Sequence, residues 1–156
     1  MKTILIATLV FSSISAFAGS SDTLKLKGKV EVVNEIDVQA LSAAENLQIL
    51  TGESRSKVAD VSETSNDRKG YKIFMRSQHA GQLVHTEDPQ FFSTYKLSYD
   101  GKAPLAPTTT DQEVKSVSAL TGLTTAISEV KIDLTAAPNA VAGEYEDLVT
   151  FSIVAN

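Results

Sequence analysis

The sequence contains no cysteine and no tryptophan. Without cysteine there is no disulfide, no thiolate nucleophile and no Cys-ligated metal. Aromatic residues make up only 6% of the chain, and basic residues are outnumbered, 14 Lys+Arg against 19 Asp+Glu. A formal net charge of −5 does not fit nucleic-acid binding, which needs a basic surface. No G-x-S-x-G elbow, P-loop, dinucleotide fingerprint or HExxH pattern occurs, so no nucleophile, phosphate cradle or zinc site is announced. Neither an enzyme nor a cofactor is therefore expected. What is present is 42% hydrophobic residues in a chain of 156, enough for one domain with an ordinary core.

Residues 1–18 read as a secretory signal peptide. Lys2 supplies the positive start, Ile4 opens a short apolar run, and Ala16-Phe17-Ala18 gives a small-x-small cleavage site before Gly19. The run is too short and too broken by serine for a membrane span, which needs about 20 apolar residues. Removing these 18 residues, one of them a lysine, leaves 138 residues with a formal net charge of −6. No later stretch reaches spanning length, so an exported domain with no membrane span is expected. An oxidising destination would permit disulfides; this chain must manage by packing alone.

Residues 19–156 then read as one all-β domain. Leu24, Leu26, Val30, Val32, Ile36, Val38 and Ala40 share even parity, while Lys25, Lys27, Lys29, Glu31, Glu35 and Asp37 hold the odd positions. Such alternation turns one set inward and the other to water. One straight strand of roughly 17 residues would be about 55 Å long, so a break is expected near Val33-Asn34. Gly28 falls on the apolar face without a side chain, which marks a bulge or a close backbone approach. Further strands are expected over residues 46–51, 57–64, 71–77, 95–99, 102–105, 113–117, 130–134 and 145–153. Asp100-Gly101 is a hairpin signal, and residues 65–70 form a polar turn. Helical periodicity is poor, with single turns at most over residues 40–45 and 110–120. Many short strands at this spacing indicate an antiparallel β-sandwich.

Few side chains suggest chemistry. His79 and His85 read as solvated loop residues, because no third ligand is placed for a metal. Asp60, Glu63 and Asp67 read as an acidic turn rather than a calcium loop, since their spacing is not that of an EF-hand. Ser54 and Ser56 flank Arg55 with no base spaced to activate them. Lys25, Lys27 and Lys29 read as protection of an edge strand against unwanted pairing. Tyr71, Tyr95, Tyr99 and Tyr145 read as half-buried face residues rather than a sugar-stacking platform.

Two segments resemble a known family. Thr23-Leu24-Lys25-Leu26-Lys27-Gly28-Lys29-Val30 resembles the start of chaperone–usher fimbrial subunits of Gram-negative bacteria. Ala142-Gly143-Glu144-Tyr145-Glu146-Asp147-Leu148-Val149-Thr150-Phe151-Ser152-Ile153 resembles their closing pattern, and residues 58–73 have a similar look. The resemblance implies an immunoglobulin-like antiparallel β-sandwich that lacks a final strand and receives one from a neighbour. By that analogy Leu24, Leu26, Gly28 and Val30 form the donor face, and Val149, Phe151 and Ile153 line the acceptor groove. It further implies other copies or related subunits and a periplasmic chaperone as partners, a role in a surface fimbrium with cell adhesion, and a location in the periplasm or at the cell surface. The cysteine pair common in many such subunits is absent here. The alternative is a self-contained binding module whose loop face comprises residues 65–70 and 78–90.

Overall fold

A computed structural model describes residues 20–156. The expected signal peptide, residues 1–18, and Gly19 lie outside the described residues. The chain forms two units, one ending at Val30 and the other spanning Glu31–Asn156.

In the first unit, residues 20–30 contain no helix and no strand, and all are exposed. Leu24, Leu26 and Val30 are 85%, 84% and 84% exposed. A Cβ placed on Gly28 would meet no atom within 4 Å, so no close backbone approach explains that glycine here. The lysines therefore do not guard a formed edge strand, which corrects the sequence reading.

The second unit is an antiparallel β-sandwich. Its strands are β1 (Asn34–Ala40), β2 (Glu53–Ser65), β3 (Tyr71–Ser77), β4 (Gln82–His85), β5 (Phe92–Tyr99), β6 (Gln112–Val117), β7 (Thr124–Leu134), β8 (Tyr145–Glu146) and β9 (Val149–Ala155). A six-stranded sheet runs β1-β2-β7-β5-β4-β8, and a three-stranded sheet runs β6-β3-β9. One hydrophobic core joins them, centred on Val61, Ile73, Met75, Leu97, Val114 and Val130. Period-2 alternation accounts for it: Tyr71, Ile73 and Met75 are buried while Lys72 and Arg76 are not.

The described residues ahead of Val33-Asn34, where a break was expected, form no strand; β1 begins at Asn34, and that start has a local cause. Asn66, in the β2–β3 turn, accepts a 2.7 Å hydrogen bond from the Val33 N–H at its Oδ1. Its Nδ2 donates 2.9 Å to the Glu31 carbonyl. These bonds engage the backbone just ahead of β1, which pairs with β2 from Asn34↔Ser65 to Ala40↔Ala59. The same turn closes on Gly70, whose φ of +85° suits glycine and whose absent Cβ would lie 1.9 Å from the Val117 carbonyl oxygen.

Several expectations are corrected. Residues 46–51 are not a strand but a turn, closed by a 2.7 Å bond from the Gly52 N–H to the Gln48 carbonyl. Residues 102–105 make only an isolated bridge, Leu97↔Leu105, because Pro104 cannot donate to a ladder. Residues 110–120 contain β6 rather than a helical turn, whereas residues 40–45 do contain a short 3-10 turn (Ser42–Glu45). His85 is buried in β4 and meets Tyr145 edge-on at 5.1 Å between ring centroids. Its Nδ1 accepts the N–H groups of Glu87 and Asp88, so it is not a solvated loop residue.

Candidate functional site

The two sheets meet along a seam where β1 lies beside β9. β1 ends the six-stranded sheet and β9 ends the three-stranded one, so each presents an outer edge with no paired strand among the described residues. β9 pairs with β3 from Tyr71↔Ala155 to Ser77↔Val149. Its alternation sends Val149, Phe151 and Ile153 toward the core, where they stay only half-buried. Phe151 reaches Tyr99, with ring centroids 5.6 Å apart. Across the seam, Ile36 is half-buried too, while Val38 is 45% exposed. Apolar side chains of inward parity that stay partly wet mark a flank where the sandwich is not covered.

A cavity of about 700 Å³ is lined by segments that follow β1 and precede β9. Its lining includes Ala44, Leu47, Leu83, Glu144, Asp147 and Leu148, with no lysine or arginine. Asp147 anchors the segment just ahead of β9. Its Oδ2 accepts 2.6 Å hydrogen bonds from the Ser77 and Tyr95 hydroxyls, and its Oδ1 accepts the His79 N–H at 3.0 Å. The carboxylate is almost fully buried, and the His79 Nδ1 lies 3.5 Å away without a hydrogen-bond partner among the described residues. Burial first, and then the bond to Asp147, push the Tyr95 hydroxyl far above its ordinary pKa.

A second buried carboxylate pins the sheets together at mid-core. Glu63 is fully buried, not part of an acidic turn as the sequence suggested. It accepts bonds from Tyr71 (2.7 Å), Tyr99 (2.5 Å) and Ser128 (2.7 Å), and Lys115 Nζ lies 3.1 Å away. Lys115 also reaches Asp100 at 3.0 Å. Burial lowers the Lys115 pKa, but its bonds to Asp100 and Glu63 more than offset this and the net shift is upward. Asp60 pairs with Lys57, and Asp67 Oδ1 accepts the Lys69 N–H; the three carboxylates do not converge.

Tyr71, Tyr95 and Tyr99 are buried and so neither half-buried nor a stacking platform; Tyr145 alone is half-buried. The loop face expected from residues 65–70 and 78–90 does not form. The two loops leave opposite ends of β3, about 23 Å apart for seven residues at 3.3 Å each. The positions singled out from the sequence thus divide in two: Val149, Phe151 and Ile153 lie along one seam, and Leu24, Leu26, Gly28 and Val30 lie in the first unit, exposed. Sequence reading missed Glu63 and Asp147. For Glu63 a signal existed, because it shares the parity of Val61 and Ser65.

No family model matches the chain, and no curated protein matches it. Among solved structures it is similar to the E. coli Hda pilus minor tip subunit, HdaB. That similarity has a TM-score of 0.42 at 15% sequence identity, over 76% of this chain and 79% of the other.

Proposed function

We propose that the protein is a non-enzymatic structural subunit of a fimbria-like surface assembly, joined to its neighbours by β-strand addition. The observation that carries this reading is a pairing of two incomplete features in one chain. Residues 24–30 alternate apolar and basic side chains, and form no strand among the described residues. The sandwich, in turn, has two strand edges side by side, without a partner strand among the described residues, over half-buried Val149, Phe151 and Ile153. Strand addition satisfies both: main-chain hydrogen bonds give affinity, and alternate side chains fill the seam. Burying Leu24, Leu26 and Val30 contributes about 1.5–3 kcal/mol each before ordering costs. Gly28 brings its backbone close without a side chain. The partners are other copies of the chain or related subunits, with a periplasmic chaperone covering the seam beforehand. The product is secreted, to the periplasm or cell surface.

The test uses the full mature chain with its own extension disabled by Leu24→Asp and Leu26→Asp. A peptide of residues 20–32 should raise its melting temperature, and the same peptide carrying Leu26→Asp should not. A monodisperse, thermally stable monomer indifferent to the peptide would overturn the reading.

A further inference from the structure

Charge as well as hydrophobicity is arranged to match across the proposed joint. Residues 20–30 hold three lysines and one aspartate, in a chain whose acidic residues are in excess. Lys25 and Lys27 are exposed and share the face opposite Leu24 and Leu26. On β1 the outward parity carries Glu35 and Asp37, both exposed, while Ile36 between them turns inward. Among the described residues none of these four side chains forms an ion pair or hydrogen bond. The exposed outward positions 35 and 37 of β1 are therefore acidic, and the extension is basic.

We propose that the seam takes the extension of a second copy of this chain, with Lys25 and Lys27 seated beside Glu35 and Asp37. This rests on the strand-addition reading above and adds what selects the partner and its register. A strand laid along the seam has its apolar face toward Ile36, Phe151 and Ile153. Its other face emerges beside the outward residues of β1. Neighbouring strands lie about 4.8 Å apart, so opposite charges there form cross-strand pairs, and like charges directly opposite destabilise. A shift of one residue would turn the lysines into the core and the leucines to water. Charge and hydrophobic parity thus select the same register. The lysines gain a role in assembly, and before assembly they keep an exposed apolar segment from pairing at random.

The experiment measures binding of a labelled peptide of residues 20–32 to the full mature chain carrying Leu24→Asp and Leu26→Asp. Glu35→Lys with Asp37→Lys should weaken binding about tenfold at low salt. A peptide with Lys25→Glu and Lys27→Glu should lose a similar factor on the unmodified acceptor. The two reversed partners together should recover most of it. Added salt should weaken the native pair, because exposed charges are screened. If both reversals leave affinity unchanged while Leu26→Asp in the peptide abolishes binding, the electrostatic inference is wrong and strand addition stands. Loss without recovery in the reversed pair also overturns the inference. If the native peptide fails to bind at all, strand addition itself fails and this inference with it.

Discussion

The Tyr95 hydroxyl donates a 2.6 Å hydrogen bond to Asp147 Oδ2, joining residues 52 apart in sequence. The bond ties β5 to the segment just ahead of β9, and the Ser77 hydroxyl adds a bond from the end of β3. The strand carrying the candidate seam is thereby fixed at its start, while its outer edge has no partner strand among the described residues. Such an edge can be held in shape for a partner only if its own sheet is rigid.

Replacing Asp147 should loosen that start. Asp147→Ala leaves two hydroxyls and one backbone N–H without their acceptor. A loss of about 3 kcal/mol is expected in urea denaturation, with Asp147→Asn costing less. A loss under about 0.5 kcal/mol for Asp147→Ala would show that the anchor is not structural.

Glu63 should behave as a buried ion pair. Glu63→Ala leaves three hydroxyls without their acceptor and Lys115 with Asp100 as its remaining counter-charge, and should cost about 3 kcal/mol. Glu63→Met combined with Lys115→Met removes both charges and should cost less than either single change. A strictly additive double variant would contradict the coupling.

The buried tyrosines give an alkaline signature. Burial and bonds to Glu63 or Asp147 raise the Tyr71, Tyr95 and Tyr99 hydroxyls above their ordinary value of 10.0. Their folded pKa values exceed the unfolded ones, so the associated stability is complete below about pH 10. It is lost as pH rises toward the folded values. Tyrosinate absorbance should show these three ionising together with unfolding. Smooth ionisation beginning near pH 10 in a still-folded chain would contradict their burial.

Gly70→Ala should destabilise by about 3 kcal/mol or more, through a left-handed φ and a backbone clash at Val117. Gly28→Ala should leave the melting temperature of the isolated chain unchanged, since nothing lies within 4 Å. Equal effects at both glycines, read by thermal unfolding, would count against the division into two units.

Much of the fold was legible because parity was clean. Tyr71–Ser77 keeps its buried residues on one parity, with only Phe74 apolar on the other, and formed as expected; the strand expected over residues 145–153 instead divides into β8 (Tyr145–Glu146), in the six-stranded sheet, and β9 (Val149–Ala155), in the three-stranded one. β4 was missed because Gln82–His85 has four residues, half of them polar, and its inward histidine packs on distant Tyr145 and reaches the distant Ala142 carbonyl. The buried Glu63 was hidden for a related reason. A carboxylate on an inward face reads as an error until its partners, from Tyr71 to Ser128, are brought together by the second sheet. The seam was legible in part. Val149, Phe151 and Ile153 follow from alternation, but the open edge beside them is a property of strand order, which local sequence does not encode.

The most direct test of the joint exploits the absence of native cysteine. One copy carries Gly28→Cys, and a second carries a cysteine in place of Val149, Phe151 or Ile153. The two are mixed under mild oxidation. Disulfides form only between Cβ atoms about 4 Å apart, so a crosslink reports contact. The account predicts a covalent heterodimer with at least one of the three β9 positions, and none with a cysteine in place of exposed Leu123. No crosslink to any β9 position, or equal crosslinking to Leu123→Cys, would contradict it.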